Sequence, residues 1–162
     1  MIRKLAALVL LLTACGPLAQ GKAPAAQPAS AEHEKVHPLS GLPVIPLTIS
    51  QNGKVHRFRV EVAATQVQQE RGLMFREKMG PDEGMIFPLD PPRETSFWMK
   101  NTVLPLDIIF IGPDRRITNL SANAEPFSLE PRMSDDLTGA VLELNGGRLA
   151  QLGFTPGAKV AW

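Results

Sequence analysis

Two regimes divide the chain. Between residue 16 and about residue 43 the apolar positions follow no period, and from Val44 onward they alternate with polar ones. Val44–Ser50 and Val55–Ala63 are β-rich runs on either side of Gln51-Asn52-Gly53-Lys54, and Asn-Gly is the strongest short hairpin signal. In the second run Phe58, Val60 and Val62 alternate with Arg57, Arg59 and Glu61, which gives one core face and one wet face. Thr65-x-x-Gln68 forms a capping box for a short helix that Gly72 stops. Gly84–Pro88, Thr95–Asn101 and Leu106–Ile111 read as three further strands. A Gly112–Arg115 turn leads into Ile117–Ala122, and an irregular stretch over residues 123–136 leads to Ala140–Leu144. Asn145 is placed to cap a short helix over Arg148–Leu152, and Ala158–Trp162 closes the chain as a strand. About eight short strands with two helical pieces predict a mostly β fold, a single small sandwich or barrel.

The aperiodic segment changes the picture of where the domain works. Arg3 and Lys4 precede an apolar run, Leu5–Leu12, too short to span a bilayer and suited to a signal peptide. Leu12-Thr13-Ala14-Cys15 resembles the lipobox of bacterial lipoproteins. That resemblance implies a signal over residues 1–14, lipidation of Cys15 and a chain anchored to a membrane, facing the periplasm. The alternative is a plain secretory signal cut near Ala19. Pro17, Pro24, Pro28, Pro38 and Pro43, set among Ala, Gln and Ser, make residues 15–43 a tether, leaving residues 44–162 as the β domain. Hydrophobic residues make up 44% and charged residues 20%, an ordinary globular mix. Formal net charge is +1, and without Arg3 and Lys4 the chain has 15 basic against 16 acidic residues. A near-neutral chain lacks the basic excess that phosphate-backbone binding uses, so nucleic acid is not an expected partner.

Four motifs occur in order: Arg71-Gly72-Leu73-Met74-Phe75-Arg76, Phe97-Trp98-Met99-Lys100-Asn101-Thr102, Pro105–Ile111 and Val141-Leu142-Glu143. With them residues 44–162 resemble the bacterial and archaeal family numbered 192 in the domain-of-unknown-function series. The resemblance implies a jelly-roll-like β domain, often behind a signal sequence, and no established reaction, substrate or cofactor. Three positions depart from the family pattern: Arg115-Arg116 stands where Asp-Gly is common, Ala140 where an aromatic residue is, and Ala158 where an acid is.

Candidate chemistry is narrow. Cys15 is the only cysteine, so the domain has neither a thiol nucleophile nor a disulfide. His56 is the only histidine after residue 43, which argues against a His-rich metal site, and no P-loop or nucleophile elbow is present. No cofactor is expected. Asp107 and Glu143 are acids in apolar strands; as a pair they would suit acid–base work in a hydrolase or lyase, and singly they suit structural hydrogen bonding. Met74, Met79, Met85 and Met99 offer soft donors for Cu(I) or adaptable core filling. Strand alternation over 97–102 puts Phe97 and Met99 on one face and Trp98 and Lys100 on the other. With Phe97 and Met99 inward, Trp98 is displayed beside Lys100, a binding-surface composition to which Arg71 is the expected third contributor; with the faces reversed, Trp98 is core. Arg71 and Arg76 bracket the loop after the first helix and suit contacts to an anion or carboxylate; the alternative for both is surface salt bridging with Glu70, Glu77 or Asp82. The preferred reading is a non-catalytic, monomeric envelope module that binds a small molecule or an envelope protein.

Overall fold

Nine strands and two short helices build a mostly β domain in the computed structural model, which describes residues 36–162. The expected signal segment, Cys15 and the expected tether through residue 35 lie outside the described residues. β1 (Val44–Gln51) and β2 (Lys54–Val62) form the expected hairpin, with Asn52 and Gly53 both at positive φ. α1 (Gln66–Arg71) begins at the expected capping box: Gln68 N–H donates to Thr65 Oγ1, and Thr65 N–H donates to Gln68 Oε1. Gly72 stops it at φ +45°, its N–H donating to the Gln68 carbonyl. β3 (Glu83–Arg93), β5 (Leu106–Ile111), β6 (Ile117–Ala124), β8 (Thr138–Asn145) and β9 (Lys159–Ala161) complete a sheet of order β6-β5-β8-β3-β2-β1-β9. Only β2 and β3 pair in parallel among the described residues, joined across α1. At one end Arg116 bridges to Lys159 and Val160 N–H donates to the Arg115 carbonyl, so the two edges meet without closing a barrel. No helix among the described residues is long and apolar enough to cross a membrane.

Each face of this curled sheet has its own core. Leu47, Ile49, Phe58, Val60, Ile86, Ile109, Leu142 and Leu144 fill the first, capped by Leu149 of α2 (Arg148–Leu152) and by Phe154. Met85, Phe87, Ile108, Phe110 and Val141 line the second, covered by Leu73 and Met99. β3, β5 and β8 therefore sit between two apolar layers, and β5 is buried at every position. Asp107 is the acid inside that strand. Its Oδ1 accepts from the N–H groups of Asn123 (2.8 Å) and Gly147 (2.9 Å), and its Oδ2 from Leu149 N–H (2.8 Å). It thus satisfies donors in the first turn of α2 that would otherwise be orphaned.

Four sequence expectations need correction. Thr95–Asn101 is not one strand: β4 (Ser96–Phe97) pairs with a two-residue β7 (Arg132–Met133), and the chain then turns at Asn101, which holds φ 55°. Asn tolerates that left-handed conformation, which suits it to the turn that follows the short strand. The stretch over 123–136, expected to be irregular, supplies β7. Asn145 does not cap α2; its amide donates to the Gly80 carbonyl (2.7 Å), and Gly147 stands at the N-cap. Finally, the fold begins before Val44. Val36 bridges to Pro43, Leu42 is buried, and Ser40 Oγ donates to Glu61. Residues 36–43 are part of the domain because they cover a buried ion pair on β2.

Candidate functional site

Glu143 lies mid-way along β8, opposite Met85 on β3 and Ile108 on β5. Both neighbours belong to the second core, so its side chain enters an apolar layer, and the residue is only 5% exposed. Gly84 is required beside it: a Cβ there would strike the Glu143 carbonyl oxygen and a Leu144 methyl group. Among the described residues the Glu143 carboxyl has no hydrogen-bond or ionic partner, and burial pushes its pKa up to about 8. It is an acid held neutral at pH 7, because its charged form would be desolvated with nothing to offset it.

The carboxyl forms part of the lining of a cavity of about 230 Å³. Phe87, Leu89 and Phe97 give its apolar walls, and Thr95, Ser96 and Thr102 its polar ones. Phe97 is fixed edge-on between two rings, 5.0 Å from the centroid of Phe87 and 6.4 Å from that of Phe110. Trp98 and Arg71 stand at the same cavity. Trp98 is 50% exposed, with Lys100 Nζ 5.1 Å from its ring centroid. Arg71 lies over the exposed Phe75 ring at 4.7 Å, and Phe75 N–H donates to the Asn101 carbonyl, tying the α1 turn to the Trp98 loop. The Arg71–Met74 turn also borders a larger outer groove of about 700 Å³ that runs toward Leu39 and Lys78.

The chain matches the family model for DUF192, an uncharacterized ACR, over residues 47–162. It belongs to the DUF192 family. This DUF192 domain is similar to a crystal structure of a protein of unknown function from Novosphingobium aromaticivorans DSM 12444. That pair shares 52% identity over 78% of this chain and 91% of the other, with a TM-score of 0.77. It is also similar to a crystal structure from Sinorhizobium meliloti 1021, assigned provisionally as a transcription regulator. There the identity is 38% over 74% of this chain and 94% of the other, with a TM-score of 0.73. No curated protein matches the chain.

The DUF192 fold brings some of the expected residues together and separates others. Arg71 and Trp98 share one cavity, and Lys100, which is not among its lining residues, lies against the Trp98 ring. Asp107 and Glu143 do not converge. Asp107 pairs opposite Leu144 and faces the first core, whereas Glu143 pairs opposite Ile108 and faces the second. The two-carboxylate arrangement is thereby corrected, since neighbouring strand positions point to opposite sides of a sheet. Met85 and Met99 are fully buried in the second core with Met79 against it, and Met74 lines the cavity. Arg76 is not at the surface. Its guanidinium grips Glu61 in a bidentate pair at 2.8 and 3.0 Å, beneath residues 36–43. Of its expected partners, Asp82 instead meets His56 and Arg148, and their hydrogen bonds hold its carboxyl below the usual range. Sequence reasoning placed Phe97 in the core without seeing it as a cavity wall, and it set Thr102 on the Trp98 face without seeing that it lines a cavity. The available signal was Glu143 itself, a lone acid in an otherwise apolar strand.

Proposed function

We propose that this DUF192 domain is the non-catalytic small-molecule-binding module of an envelope lipoprotein, with its ligand seated over Glu143 at the Trp98 rim. The observation that carries the reading is a buried carboxyl, without a partner among the described residues, facing an open, aromatic-walled cavity. Buried polar groups are normally satisfied, so one left unsatisfied at a cavity asks for an external partner. An exposed Trp at the mouth is the residue type that most often anchors a bound partner. Arg71, with its planar fork, supplies a cation at the same mouth. The regulator assignment of the Sinorhizobium relative is not carried over, because a net charge of +1 offers no surplus for DNA phosphates.

Ligand screening by thermal shift tests the binding reading, since a ligand that prefers the folded state raises the melting temperature. Hits should lose about 2 kcal/mol or more of affinity in Trp98→Ala while the unliganded melting temperature holds. Hits that bind Trp98→Ala unchanged would move the site elsewhere. The envelope part of the proposal rests on Leu12-Thr13-Ala14-Cys15. Cys15→Ser should release the protein from the membrane fraction or block its processing, and unchanged retention with normal processing would overturn the anchor.

A further inference from the structure

The chemistry of the ligand follows from what the cavity lacks, granted the binding site proposed above. Its polar walls hold hydroxyls that can donate or accept, and Thr102 Oγ1 already donates to the Lys100 carbonyl. Glu143 is different: it is open only to the cavity, and no N–H, O–H or counter-charge reaches its carboxyl among the described residues. A Gln in its place would fill the same space and offer both a donor and an acceptor without any ionisation penalty. A carboxyl is worth keeping there only if its charged form is used. The walls point the same way, because Phe87, Phe97 and Trp98 can turn π-faces toward a cation and donate no hydrogen bond to an anion from those faces. Two further cations, Arg71 and Arg93, stand at the cavity and suit an anionic or polar tail rather than the buried end. The volume of about 230 Å³ equals roughly eight molecules of liquid water. That suits a ligand of about eight to ten heavy atoms.

We infer that the cavity takes a small primary ammonium compound, with its –NH3+ on the Glu143 carboxylate and its carbon skeleton against Phe87, Phe97 and Trp98. In binding, the Glu143 O–H bond breaks, its proton goes to solvent, and the carboxylate accepts hydrogen bonds from the ammonium. No other bond changes. The charged groups that share the cavity with this carboxyl are Glu70 and Arg71 from α1 and Arg93 at the end of β3, with Lys100 Nζ 5.1 Å from the Trp98 ring centroid. The strand neighbours Met85 and Ile108 carry no titratable group. Glu143 is therefore the enclosed acid on which the proton exchange rests.

Calorimetric titration of the full chain with benzylammonium and with its neutral isostere benzyl alcohol tests the assignment. Benzylammonium should bind with close to one proton released per molecule at pH 6.5, read from the heat in two buffers of different ionisation enthalpy. Its affinity should rise about tenfold per pH unit below pH 8 and flatten above it, because a bound cation must displace the proton. Glu143→Gln should reduce benzylammonium affinity at least tenfold at pH 8 and abolish the proton release and the pH dependence of its binding. If benzyl alcohol binds as tightly as benzylammonium with no proton released, the ammonium assignment is wrong and the binding site stands. If neither probe changes the Trp98 emission of a Trp162→Phe protein, the binding site falls as well.

Discussion

Glu143→Gln stabilises the folded domain by about 3 kcal/mol at pH 7, and the gain vanishes near pH 4.5. The size follows from linkage. An unfolded chain ionises this side chain around pH 4.5, whereas burial raises the folded value to about 8. Between those values the folded state keeps a proton that the unfolded state has lost. Native stability therefore falls with rising pH, by about 1.4 kcal/mol per unit. The stabilising contribution of the neutral acid is complete below pH 4.5, is lost progressively up to pH 8, and declines no further above it. Gln has nearly the same volume and no charge, so the substitution removes the pH dependence and keeps the packing. Its amide is as short of partners as the neutral acid, and those two costs roughly cancel. Urea unfolding of both proteins at pH 4.5, 6, 7 and 8.5 measures the gap. A gap that stays constant across that range would mean that Glu143 ionises freely in the folded protein.

The second large effect has the opposite sign. Glu61→Gln costs about 3–5 kcal/mol, because it strands the Arg76 guanidinium as a buried charge without a counter-charge. Both side chains are nearly sealed from solvent, at 4% and 8% exposure. Ser40 and His37 reach the same pair, so residues 36–43 lose their polar seat on β2 when Glu61 loses its charge. Against the roughly 5–15 kcal/mol that ordinary domains possess, this is a substantial fraction. The double variant Glu61→Leu/Arg76→Leu should regain most of the loss, since two apolar residues need no compensation there. Thermal melts of the single and double variants decide it. A single variant within 1 kcal/mol of the parent would show that water reaches the pair.

Features written in local residues were readable in the sequence. The Asn52-Gly53 hairpin and the Thr65/Gln68 capping box depend on neighbours within a few positions, and both occur where the sequence puts them. Features that depend on distant partners were not readable. Nothing local announces that β2 pairs in parallel with β3, or that Arg132 and Met133 meet Ser96 and Phe97. The tether boundary failed for a similar reason, because Leu42 and Ser40 gain their places only from Glu61 and Arg76. Alternation worked for Trp98, which sits beside a buried Met99, even though the strand there is only two residues long. It could not orient Glu143. A strand covered on both faces has no wet side, so the polar and apolar pattern of Val141–Leu144 does not say which way an acid points.

That double covering leaves β5 with a registration problem. Every residue of Leu106–Ile111 is buried, so a slip of one position would exchange one apolar surface for another at little hydrophobic cost. Asp107 is the key that makes the slip expensive. Shifted by one residue, its carboxylate would leave the N–H groups of Asn123, Gly147 and Leu149 and enter the opposite layer, the one that already contains the unpartnered acid of Glu143. Three donors would be orphaned and two acids would share one largely apolar layer. A single charged side chain thus gives the most hydrophobic strand of the protein one alignment instead of two.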